Sequence, residues 1–174
     1  MKKRLFISVL VGICFLSFQA FSKSCLRFYN THTHEKFSGD YKDNAGNYLP
    51  GALKKINYLL RDHRTNEVHQ IEPKLLDVLH DISCRLSKKS DPICFHVISG
   101  YRSPQTNNML RKKSRGVYHK SAHMMGRAID IRVPSVPLKT LRNTAASLKK
   151  GGVGYYSQSN FVHVDIEKVK SWGY

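Results

Sequence analysis

Ser121-Ala122-His123-Met124-Met125-Gly126-Arg127-Ala128-Ile129-Asp130-Ile131-Arg132-Val133 is the stretch that decides the fold. Its second half alternates. Ala128, Asp130 and Arg132 fall on one side of an extended strand, and Ile129, Ile131 and Val133 on the other. Asn160 to Ile166 alternates in the same way, with Phe161, His163 and Asp165 opposite Val162, Val164 and Ile166. The spacing predicts strands over Arg127 to Val133 and Asn160 to Ile166, each holding a polar group among β-branched residues. Burying an acid or an imidazole without a partner is costly, and a divalent metal is a partner for both. His123 precedes Asp130 across a turn containing Gly126, so a loop-borne imidazole can fold over the strand end and complete a His/Asp/His set. Two imidazoles, one carboxylate and an open fourth position form the pattern of a catalytic zinc. Water at that position becomes a nucleophile near neutral pH.

Working outward, Leu26 to Tyr29 and Glu35 to Tyr41 read as short strands around a turn. Leu49, Leu53, Ile56 and Leu60 have helical spacing, and Arg61 to Glu67 is a polar loop. Pro73 opens a helix running to about Ser87, and Pro104 opens another through about Lys113. Between them, Ile93 to Ile98 is a strand that ends at Ser99-Gly100. Ser114 to Gly126 has no apolar period and reads as a loop. Pro137 to Lys149 is a helix stopped by Gly151-Gly152, and Val153 to Tyr156 is a strand. The expected fold class is α+β: a small, mostly antiparallel sheet flanked by helices, with the zinc site on the sheet.

The start of the chain has a separate purpose. Lys2, Lys3 and Arg4 precede an apolar run from Leu5 to Phe18, and Ala20-Phe21-Ser22 supplies small residues at a cleavage site. Residues 1–22 are the expected signal peptide, cut before Lys23, and residues 23–174 the catalytic domain. The apolar run is shorter than the roughly 20 residues that span a bilayer, so no stable membrane anchor is expected after cleavage. Removing the signal's three cations takes the net charge from +17 to +14. Such a charge attracts polyanions, and for an exported chain these are the cell wall and the membrane surface. A nucleic-acid partner has only the charge in its favour, with no basic motif interleaved with aromatics. Cys84 and Cys94 bracket a polar turn and are expected to form a disulfide in an oxidising compartment. No cysteines lie at CxxC spacing, which argues against a cysteine zinc site.

Ser121-x-His123-x-x-Gly126-x-Ala128-x-Asp130, with the later His163, resembles the zinc D-Ala-D-Ala peptidase superfamily, peptidase family M15. It is most similar to the exported murein endopeptidases of Gram-negative bacteria. The likeness extends over Tyr29-Asn30-Thr31-His32-Thr33, Leu60 to Arg64, Ser99 to Ser103, Gly151 to Tyr156 and Asn160 to Asp165. The resemblance implies zinc at His123, Asp130 and His163. It also implies a periplasmic enzyme that hydrolyses peptide bonds in peptidoglycan stems or cross-links. Arg102 would sit beside the metal, where a guanidinium can stabilise an oxyanion or pair with a substrate carboxylate.

The general base departs from the superfamily pattern. Relatives carry a Glu three residues before the last zinc histidine, or a His two before it, where this chain has Asn160 and Phe161. Asp165 is the nearest acid on the same face and is taken as the base. It can instead orient a ligand imidazole, or ligate zinc with His163 as the base. His119 is a rival that would pair with His123 on a helix, against the loop expectation. His32, His34, His63, His69, His80 and His96 read as ordinary surface or core residues. Two other functions stay open: a carboxypeptidase that trims terminal D-Ala, and a wall-binding module with a structural metal.

Overall fold

The computed structural model describes residues 24–87, 92–114 and 116–173. The expected signal peptide lies outside them. Among the described residues no helix is long and apolar enough to cross a membrane. The chain opens with strands β1 (Cys25–Asn30) and β2 (Lys36–Asp40), then helices α1 (Pro50–Leu59) and α2 (Pro73–Leu86). Strand β3 (Cys94–Ser99) and helix α3 (Pro104–Lys113) follow. A single 3-10 turn (Ala122–Met125) leads into β4 (Ala128–Arg132) and helix α4 (Leu138–Ser147). The chain closes with β5 (Gly152–Tyr156), β6 (Phe161–Asp165) and β7 (Lys170–Trp172). Helices α1, α2 and α3 each begin on a proline, whose fixed φ suits a first turn.

All seven strands form one sheet in the order β2-β1-β3-β4-β6-β5-β7. The α+β class stands, but the sheet is larger than expected and mixed. The pairs β1–β2, β3–β4, β4–β6 and β5–β6 are antiparallel, whereas β1–β3 and β5–β7 are parallel. Alternation reports which face a residue takes and is blind to strand direction, so the parallel pairs left no trace in the pattern. Strand β7 was missed because three residues cannot display a period.

The two faces of the sheet differ. Leu26, Phe28, Phe95, Val97, Ile129, Ile131, Val153, Val162 and Val164 point to one side. There they join Ile56 of α1, Leu75, Leu79 and Ile82 of α2 and Leu141 of α4 in a single apolar cluster. Helix α3 takes no part in that cluster. The opposite face carries Asp130, His163 and their neighbours. This division also removes the expected disulfide. Cys94 shares the face of Asp130 and His163 with His96, while Cys84 lies exposed on α2, on the other side of the sheet. Both thiols are free, and Cys84 Sγ rests 3.6 Å from His80 Nε2 one helical turn away.

Candidate metal centre

Asp130 on β4 and His163 on β6 are directly opposed in the antiparallel register, so both side chains leave one face as neighbours. His123 arrives from the 3-10 turn just before β4. That turn ends at Gly126, whose φ of 63° is left-handed and where a Cβ would lie 2.2 Å from the Gln70 carbonyl oxygen. Only glycine fits there, and the turn it permits buries the His123 ring.

Each imidazole has its tautomer set by its outer partner. His123 Nδ1 lies 2.7 Å from the carbonyl oxygen of Gly100. A carbonyl only accepts, so Nδ1 carries the proton and Nε2 turns a lone pair inward. His163 Nε2 lies 3.1 Å from Asp165 Oδ2, which leaves His163 Nδ1 facing inward. His123 Nε2 is 3.2 Å from His163 Nδ1 and 3.3 Å from Asp130 Oδ1, and His163 Nδ1 is 2.9 Å from that same oxygen. With both rings neutral, three acceptors converge on one point. Tetrahedral ligands each about 2.0–2.1 Å from zinc stand roughly 3.3 Å from one another, so the residues fit the ion. Among the described residues this is the one His/Cys/Asp/Glu group with such spacing.

The surrounding charges also call for a cation. Burial pushes His123 down to about 4. Burial opposes charge on His163 as well, yet its hydrogen bonds to Asp130 and Asp165 lift it to about 9. Burial would raise Asp130, but the neighbouring His123 and Arg102 hold its carboxyl well below the usual range. Arg102 donates from Nη2 to Asp130 Oδ2 and from Nε to Ser99 Oγ, 2.9 Å away. Asp130 is therefore divided, with one oxygen on the guanidinium and the other turned to the histidines.

The outer supports are equally specific. Asp165 Oδ1 accepts the amides of Gly152 and Glu167, both at 2.8 Å, and Oδ2 accepts from His163. Asp165 therefore stands on the far side of the His163 ring from the convergence point. Buried Asp62 accepts the amides of Arg64 and Ser103 at 2.9 and 2.8 Å, fixing the start of α3 just after Arg102. Burial opposes the charge on Asp62, but the donors around it prevail and hold it at about 2.

The structure brings His123, Asp130 and His163 together, with Arg102 and Asp165 in contact with them. His119 is not: its side chain is exposed, and its backbone carbonyl accepts from Asn107 Nδ2 at 3.3 Å. The expected loop instead contains the 3-10 turn. Trp172 was missed altogether. Its indole leans over Gly154, where a Cβ would come within 2.7 Å of the ring, and its ring centre lies 5.4 Å from that of His163. His32 and His63 stack at 3.7 Å, and His69 on Tyr101 at 4.6 Å, and neither pair belongs to the His/Asp/His group.

A family model described as peptidoglycan L,D-endopeptidase MepK matches residues 19–172. The chain is 46% identical over 147 residues to a Haemophilus influenzae protein named probable peptidoglycan L,D-endopeptidase MepK, covering 84% of this chain and 77% of that relative. It is 41% identical over 143 residues to the Escherichia coli K12 protein named peptidoglycan L,D-endopeptidase MepK, covering 82% of this chain and 76% of that one. No solved structure matches the chain. With a match across nearly its whole length, the chain belongs to the MepK branch of the M15 peptidases.

Proposed function

We propose that this chain is a zinc-dependent peptidase that hydrolyses L,D cross-links of peptidoglycan in the periplasm, after loss of an N-terminal signal peptide. One observation carries the reading: two imidazole nitrogens and a carboxylate oxygen face one another at 2.9–3.3 Å. The names of the relatives supply the bond type and disfavour the carboxypeptidase alternative. His123, Asp130 and His163 hold the zinc. When bound, the ion lowers the pKa of a water and polarises the scissile carbonyl. The chain's own residues do the rest. Arg102 pins Asp130 by one oxygen, and its remaining nitrogen, Nη1, has no partner among the described residues and can meet an oxyanion. Asp165, taken from sequence as the base, instead holds His163 by Nε2 and keeps Nδ1 available to the metal. Gly100 does the same for His123 through its carbonyl.

The test is digestion of defined cross-linked muropeptides with products identified by mass. Cleavage at the L,D bond is expected, abolished by a chelator and restored by zinc. His123→Ala should fold and bind little zinc. Full zinc occupancy in that variant, or undiminished cleavage after chelation, would overturn the assignment.

A further inference from the structure

The face that carries the metal ligands has a second row of side chains. Tyr29 pairs with Lys36 on one side and His96 on the other, and His96 pairs with Arg132. Because Ile131 pairs with Val162, the next position sets Arg132 beside Phe161, and Phe161 pairs with Tyr156. The row Lys36, Tyr29, His96, Arg132, Phe161, Tyr156 therefore crosses six adjacent strands. At about 4.8 Å per strand it is about 24 Å long. It runs parallel to the row of Asp130, His163 and Gly154. Two residues along a strand separate the rows, about 7 Å.

The second row is exposed or half-buried, with Lys36 at one end, Phe161 and Tyr156 at the other, and Tyr29 and His96 between Lys36 and Arg132. Tyr156 and Phe161 stack at 4.5 Å with 18° between their planes, and Tyr29 lies 4.9 Å from His96. Arg132 stands at the junction. Among the described residues it forms no ion pair and no hydrogen bond, and it faces His96, whose pKa burial and then the Arg132 charge lower. The row contains no carboxylate. The acids nearest on this face, Asp130 and Asp165, are occupied by Arg102 and by His163 with two amides. An arginine planted two residues from a metal ligand, with an aromatic floor beside it and no anion of its own, is complementary to a carboxylate on something that also reaches the metal.

We infer that Arg132 is a specificity-determining residue that grips a free carboxylate of the bound stem peptide, while Phe161 and Tyr156 support the adjoining part of that peptide. The inference rests on the peptidase reading above. It fixes the direction of the substrate: one arm of the cross-link lies across the strands along the second row, with the scissile bond over the first. A forked guanidinium on a carboxylate binds in two places at once, and the half-buried site strengthens the contact.

Steady-state cleavage of two substrates by the full chain tests this: a cross-linked muropeptide dimer with free carboxylates, and the same dimer with those carboxylates amidated. Arg132→Gln should raise KM for the free-carboxylate dimer about tenfold or more, with kcat and zinc content near the parent's. The amidated dimer should bind weakly to the parent and be indifferent to the substitution, and Arg132→Lys should recover part of the loss. An unchanged KM in Arg132→Gln, or an equal loss on both dimers, would overturn the subsite while leaving the peptidase reading intact. An equal loss would point to the glycan or backbone as what the row contacts. A parent chain that cleaves neither dimer would overturn the peptidase reading and this inference with it.

Discussion

Asp165 has three donors on two oxygens: the amides of Gly152 and Glu167, and the ring of His163. Such a carboxylate aims an imidazole. Asp165→Asn should therefore lower zinc affinity by about 10–100-fold, read by competition against a chromogenic chelator. Unchanged affinity with lost turnover would return Asp165 to the role of base. Arg102→Ala should retain most zinc and lose about 100- to 1000-fold in kcat; a loss of zinc instead would mean that it acts only through Asp130. The meeting of Asp130 and His163 was legible in the sequence because alternation puts both mid-strand on a shared face. The contact of Asp165 with His163 Nε2 was not, since sharing a face gives proximity without saying which ring nitrogen is met. That depended on Gly152, where a Cβ would lie 2.5 Å from Asp165 Oδ2. Glycines at alternate strand positions, Gly152 and Gly154, were the available sign that side chains from elsewhere lie over β5.

Between residue and sheet stands the turn that delivers His123. Gly126 closes it, with its amide bonded to the His123 carbonyl and its own carbonyl accepting from Glu72 at 2.9 Å. Gly126→Ala should cost about 1–3 kcal/mol from backbone strain alone, more from the clash with Gln70, and should reduce zinc content. Denaturant melts and metal analysis would check both. Gly46→Ala is the control: φ there is 87°, but nothing lies within 4 Å of the added methyl, so it should be milder and leave zinc untouched. Helix α2 was readable because apolar spacing and an opening proline agree, α1 from its apolar spacing and α3 from its opening proline. The 3-10 turn and β7 were not, since four and three residues are too few to show a period. The Cys84–Cys94 expectation failed at this scale too: a short separation along the chain does not bring thiols together when a sheet stands between them.

Seen whole, the molecule is a sheet with α1, α2 and α4 packed on one face and the His/Asp/His group on the other. The class was legible, because a strand that alternates apolar with polar announces one buried side. The order of the strands was not, since β1 and β3 pair in parallel across two helices. The residues proposed to hold zinc span the same kind of distance, with His123 and His163 40 residues apart. An unfolded chain therefore cannot gather them cheaply, and the site exists only once β4 and β6 have paired. Ion capture should follow folding: refolding in a chelator should proceed at nearly the rate seen with zinc, and zinc added afterwards should bind in a separate, concentration-dependent step. The chain offers its own means of watching this. It has one tryptophan, and that residue is Trp172, whose ring lies tilted beside that of His163. The intrinsic emission of this protein is thus a local optical report on the His163 imidazole, and zinc titrated into folded, metal-free protein should change its intensity or wavelength without any added dye.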